Sequence, residues 1–112
     1  MESISVNDIA FVTFPFSDLS QSKLRPALVL ANAKRNDWIL CQITSQNYDD
    51  SQAIALYETD FEAGFLSKLS YIRPHKIFTA HTTLIKKKVA CLSKTKHDQV
   101  IGAIQAILIN GI

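Results

Sequence analysis

The hydrophobic period changes once along this chain, and that change limits the folds open to it. Up to residue 92 the apolar residues come in short runs, some alternating with polar ones, as strands require. From Thr95 onward Val100, Ile101, Ala103, Ile104, Ile107 and Leu108 recur at spacings of three and four, the stripe of an amphipathic helix. Strands first and a helix last predict a mainly β fold with a C-terminal α element: a strongly curved, mainly antiparallel sheet packed by that helix. Ser93 or Thr95 can cap the helix, and Asp98 completes a Thr-x-x-Asp start with Thr95. Gly102 inside it costs about 1 kcal/mol relative to alanine, which is tolerable where another backbone approaches.

Six strands are expected. Ile9–Phe14 ends at Pro15, and Ala27–Ala31 is a continuous apolar run opened by Pro26, as in a well-buried strand. The polar connection between them, Phe16 to Arg25, exceeds ordinary hairpin lengths, and long ordered loops often carry function. After the turn-like Lys34-Arg35-Asn36-Asp37, Trp38–Thr44 reads as a central strand, followed by Ala53–Glu58, Ser70–Phe78 and Ile85–Leu92. Pro74 would break a central ladder, so it implies an edge or a bulge. With 112 residues, a second core would leave each half marginal, so residues 1–112 are expected to form one domain.

Composition excludes several classes. Hydrophobic residues at 47% with three Gly and three Pro argue against a disordered or collagen-like chain. No apolar run approaches the ~20 residues of a bilayer span, and the N-terminus lacks the basic start of a signal peptide, so a cytoplasmic protein without membrane association is expected. Cys41 and Cys91 have neither CxxC nor Cys/His spacing, so no metal site is expected and both thiols are taken as reduced and buried. The net charge of +2 hides a division: residues 1–62 hold four Lys/Arg against nine acids, whereas residues 63–112 hold eight against Asp98 alone. Such asymmetry marks either a polyanion-binding face or two halves attracting one another.

Particular blocks of sequence then carry a resemblance. Asn7-Asp8-Ile9, Phe14-Pro15-Phe16-Ser17-Asp18, Lys23 through Leu30 and Ile43-Thr44-Ser45-Gln46, in this order and spacing, resemble the MazF/PemK family of toxin endoribonucleases. The likeness continues through Asp60-Phe61, Leu66, Ser70-Tyr71-Ile72-Arg73-Pro74, Lys76-Ile77-Phe78-Thr79 and Leu92-Ser93. It implies an SH3-like small barrel, a homodimer, and cofactor-free, metal-independent cleavage of single-stranded RNA at short sequences. It also implies restraint by a cognate antitoxin. Three departures stand out. Asn7 replaces a customary glycine, Ser22-Lys23-Leu24 lacks the glycine that often precedes the Arg-Pro pair, and Tyr71 and Arg73 stand where one branch has an arginine and an acidic residue.

On this resemblance the candidate catalytic residues are Arg25 and Thr44. A guanidinium stays charged and offers a planar fork to phosphate oxygens, which suits it to holding a phosphoryl group and unsuits it to act as a base. The Thr44 hydroxyl, at a strand end, can donate to the same group; the general base is left unassigned. Ser45 and Gln46 are expected to touch RNA, Phe16 to stack on a base, and Lys23, Arg73 and Lys76 to reach the backbone. Phe14 and Trp38 read as packing residues, and Lys86-Lys87-Lys88 as a solvated or edge-protecting run. His75, His81 and His97 read as surface residues, His75 being the spare acid or base. Two rivals share the fold: a non-enzymatic toxin gripping a protein target such as DNA gyrase, and a family member that no longer cuts.

Overall fold

The computed structural model describes residues 3–15, 22–46 and 49–111, with the backbone alone for residues 14, 15, 22 and 23. Among the described residues seven strands are formed: β1 (Asp8–Pro15), β2 (Ser22–Lys34), β3 (Asp37–Thr44), β4 (Ile54–Leu56), β5 (Phe61–Gly64), β6 (Ser70–His81) and β7 (Ile85–Leu92). They make one antiparallel sheet in the order β4-β6-β3-β2-β1-β7-β5, curved but unclosed, with β4 and β5 as its edges. Helix α1 (Lys94–Asn110) follows, and short 3-10 turns lie at Glu58–Asp60 and Thr82–Leu84. Among the described residues, no helix is long and apolar enough to cross a membrane.

The sheet must curl because both of its faces are apolar. Ile9, Leu28, Cys41, Ile43 and Ile72 face α1 and pack with Val100 and Ile104. Their neighbours Ala10, Val12, Val29 and Leu40 point the other way into a second cluster that Trp38 and Phe78 flank. The uninterrupted apolar run in β2 therefore has cover on both sides, as a buried strand should. Ser93 caps α1, its hydroxyl accepting from Lys96 N at 3.2 Å, whereas Thr95 is already helical and Asp98 pairs with Lys94 at 3.1 Å. Lys96 is buried and meets Asp60 at 3.3 Å. The buried stripe is narrower than the periodicity suggests: Val100 and Ile104 are buried, whereas Leu108 is 72% exposed.

Backbone with positive φ shapes two of the turns in this sheet. Asn7 takes φ 80°, so the residue standing where the resembled pattern has glycine adopts the conformation glycine would supply. Its N–H donates to the Val29 carbonyl at 3.0 Å and its carbonyl accepts from Leu92 N at 2.9 Å, clipping β2 to β7. The following Asp8 is fully buried, accepts from Ser5 N at 2.8 Å and pairs with Lys88 at 3.2 Å. At the other end, Arg35 and Asn36 both have positive φ, 54° and 67°, as a two-residue hairpin turn of the primed type needs.

Pro74 falls at a bulge. The β3–β6 register jumps between Cys41↔Ile77 and Ile43↔Ile72, which leaves residues 73 to 76 bowed away from the ladder. The Cys41 thiol donates to the Arg73 carbonyl at 2.9 Å, giving a partner to a backbone group that the bulge withdraws. Burial pushes this thiol up to about 12, the Arg73 contact offsetting part of the rise. Both cysteines are free thiols, but Cys91 is half-buried rather than buried. Strand β5 has no counterpart in the sequence reading: its four residues pair with β7 alone and expose Glu62, Ala63 and Gly64.

Candidate functional site

The ladder between β2 and β3 determines where a site can open. β1 and β2 stay paired as far as Pro15↔Ser22, so Ser22–Arg25 is strand rather than loop, and Arg25 sits opposite Val12. The β2–β3 pairing, by contrast, begins only at Ala27↔Gln42. Pro26 has no N–H to continue it. The two strands separate there, and a cavity of about 410 Å³ opens, lined by Arg25 and Pro26 from β2 and by Ile43, Thr44 and Ser45 from β3 and its end. Phe65, Leu66, Ser67 and Lys68, which follow β5, line it as well.

Thr44 is 4% exposed. Its Oγ1 accepts from Gln46 N at 3.1 Å, which turns the chain out of β3 and leaves the hydroxyl proton to be donated. Ser45 and Gln46 follow in exposed positions, Ser45 on the cavity wall. Arg25 is half-buried on β2. Residues 25 and 44, distant along the chain, thus border one space.

Arg73 and Lys76 lie on a separate polar patch. Asp50 Oδ2 is 3.4 Å from Arg73 Nε and 3.4 Å from His75 Nε2, and Arg73 Nη1 also reaches Gln42 Oε1 at 3.4 Å. Lys76 is exposed and borders a shallow groove with Gln42, Ile77 and Phe78. His75 does not line the Arg25 cavity. His97 is only half-buried, with Nε2 enclosed and without a hydrogen-bond partner among the described residues, whereas His81 is exposed. Phe16 lies outside the described residues, as does the side chain of Lys23. The sequence reading missed Phe65, Ser67 and Lys68; the signal available for them was Gly64 within a basic half of the chain. Among the described residues, no three His, Cys, Asp or Glu side chains gather as metal ligands do.

The polar patch has a pH signature. Burial pushes the Asp50 carboxyl up, but the Gln52 backbone N–H, His75 and Arg73 together outweigh it and hold the group below its ordinary 3.8. A carboxylate depressed in the folded state stabilises fully above its unfolded pKa and loses that contribution as pH falls through the folded value. Asp50→Asn is therefore expected to be less stable than the parent at pH 7 by up to about 1 kcal/mol, the contacts being long and partly solvated. In urea titrations this difference should narrow as pH is lowered below 3.8. A difference unchanged into acid would contradict the pairing.

Residues 6–108 match the family model of the PemK-like, MazF-like toxin of type II toxin-antitoxin systems. The chain belongs to this family. Among solved structures this PemK/MazF chain is similar to the MazE–MazF complex (form II) from Deinococcus radiodurans, at 17% identity and a TM-score of 0.77 over 96% of this chain and 97% of that one. It is also similar to an endoribonuclease in complex with its cognate antitoxin from a mycobacterial species, at 12% identity and a TM-score of 0.72 over 96% and 95% of the two chains. The Mycobacterium tuberculosis toxin MazF-mt6 matches at 14% identity with a TM-score of 0.70, over 90% and 95%. At such identities the likeness is one of fold. No curated protein matches the sequence significantly.

Proposed function

We propose that this PemK/MazF chain is a sequence-selective, metal-independent endoribonuclease that cuts single-stranded RNA, the toxin of a toxin-antitoxin pair. It acts in the cytoplasm as a homodimer and is restrained by a cognate antitoxin. The observation that carries this reading is the cavity that Arg25 and Thr44 both line. In the reaction the ribose 2′ oxygen attacks the adjacent phosphorus, the bond to the 5′ oxygen breaks, the 2′ proton is lost and the departing oxygen gains one. Negative charge builds on the phosphoryl oxygens throughout. The Arg25 guanidinium offers two parallel donors to those oxygens, and the Thr44 hydroxyl a third. Neither group is a base at neutral pH, so the proton acceptor is a different group.

Ser45 and Gln46, at the exposed end of β3, touch bases or sugar next to the cut. Arg73 and Lys76 hold the strand's phosphates on the neighbouring patch. Phe16 and Lys23 are proposed as further contacts from the β1–β2 connection. The products are a 2′,3′-cyclic phosphate and a 5′-hydroxyl. Purified protein incubated with a long single-stranded RNA is expected to yield such ends by mass spectrometry, and EDTA is expected to leave the rate unchanged. Products with 5′-phosphates, or cutting abolished by EDTA, would reject the chemistry. A supercoiling assay with DNA gyrase, run beside the digest, separates a nuclease from a protein-gripping toxin.

A further inference from the structure

One wall of the Arg25 cavity carries an exposed aromatic ring that directly follows a constrained glycine. Gly64 ends β5 at φ 71°, and a Cβ there would run into the Val89 carbonyl oxygen and lie 2.8 Å from the Ala90 Cα. Only glycine lets the chain press against β7 and turn away at that point. The turn delivers Phe65 to the cavity wall with 68% of its surface exposed. Leu24, 55% exposed, borders the same space. A phenylalanine this open contributes little to the core, so its value lies in what it can cover or be covered by.

The chemistry around the ring narrows the occupant. The described residues of the cavity include two cations, Arg25 and Lys68, several hydroxyls, and no carboxylate. A single nucleic-acid strand suits such a lining, since its phosphates match the cationic side chains and its bases offer a flat face to the ring. We infer that Phe65 is a stacking platform for an unpaired base next to the phosphate held by Arg25, with Lys68 against the following stretch of backbone. Base stacking on an aromatic face tolerates any base, so the platform supplies affinity and register more than sequence choice. The inference rests on the nuclease proposal for the role of Arg25, yet stacking can be measured without cutting.

The test uses the whole chain and random-sequence oligonucleotides carrying 2′-O-methyl groups, which lack the attacking hydroxyl. By fluorescence anisotropy, Phe65→Ala is expected to weaken single-strand binding by about 5- to 100-fold, and Phe65→Trp to stay near the parent. The same oligonucleotides annealed into duplex should bind the parent no better than single strands bind Phe65→Ala, since a paired base cannot reach the ring. On cleavable RNA, Phe65→Ala should raise KM, the signature of lost substrate binding. The platform is overturned if Phe65→Ala binds as tightly as the parent, if Phe65→Trp fails to restore binding in a folded protein, or if the parent binds no single strand. A parent that binds single strands tightly yet cuts no RNA would instead reject the nuclease proposal and leave the platform standing.

Discussion

Replacing Arg25 with alanine is expected to slow RNA cleavage by about 100- to 1,000-fold, the size of effect seen when one fixed donor to a developing oxyanion is removed. The loss should appear in kcat, because charge on the phosphoryl oxygens is greatest in the transition state. Arg25→Lys should recover only part of the rate. An ammonium keeps the charge but not the planar fork that meets two oxygens at once. Thr44→Ala should also remove most cutting, and Thr44→Ser, which keeps the hydroxyl, should retain more than alanine. The fold should survive all of these changes: Arg25 lies on β2 beyond the end of the β2–β3 ladder, and among the described residues Thr44 Oγ1 bonds to Gln46 N alone. Single-turnover rates on a mapped oligonucleotide, with thermal melts alongside, separate lost chemistry from lost structure. Full activity in either alanine variant would reject the site.

Leu28→Ala is expected to lower stability by about 3–5 kcal/mol. Leu28 is fully buried on the helix-facing side, with Ile9 of β1 and Cys41 of β3 as its ladder partners, in the cluster that α1 closes with Val100 and Ile104. Truncation would leave a void walled by strands that pair on both sides, so collapse cannot fill it cheaply. Against a total of roughly 5–15 kcal/mol for a domain, such a loss unfolds a substantial fraction of the chain. Urea titration should show a lower midpoint with an unchanged slope, protein concentration being held constant because a dimer is proposed. A loss below about 1 kcal/mol would mean that Leu28 is not a central core residue.

The contrast between these two positions shows what could be read from residues alone. Leu28 lies in an apolar run bounded by Pro26, and its burial follows from that pattern without knowledge of its neighbours. Arg25 is different: by composition it is one cation at the edge of a polar stretch, and only the order of the surrounding blocks singles it out. Its setting differs from the pattern in one respect: the polar segment reads as loop up to Arg25, whereas strand pairing reaches back to Ser22. Cross-strand hydrogen bonds with β1 override the weak strand preference of Ser and Lys there. Strand β5 escaped notice for a related reason, because four residues with one buried-side partner carry too little periodicity to declare themselves.

By itself, the sequence determined most of the element types, the alternation that places Cys41 and Ile43 on one face of β3, an interruption of the ladder at Pro74, and a helix start capped by Ser93 or Thr95. Each of these depends on interactions within a few residues: side-chain period, a missing N–H, or a hydroxyl beside a helix start. The tertiary structure alone decided that β3 abandons β2 at Pro26, that Arg25 and Thr44 border the space so opened, and that Phe65, next to Gly64, lines the same space. Asp50, Arg73 and His75 meet for the same kind of reason. These meetings join segments that lie far apart along the chain. Their geometry follows from sheet register and curvature, which arise when the whole core packs and which no local pattern encodes.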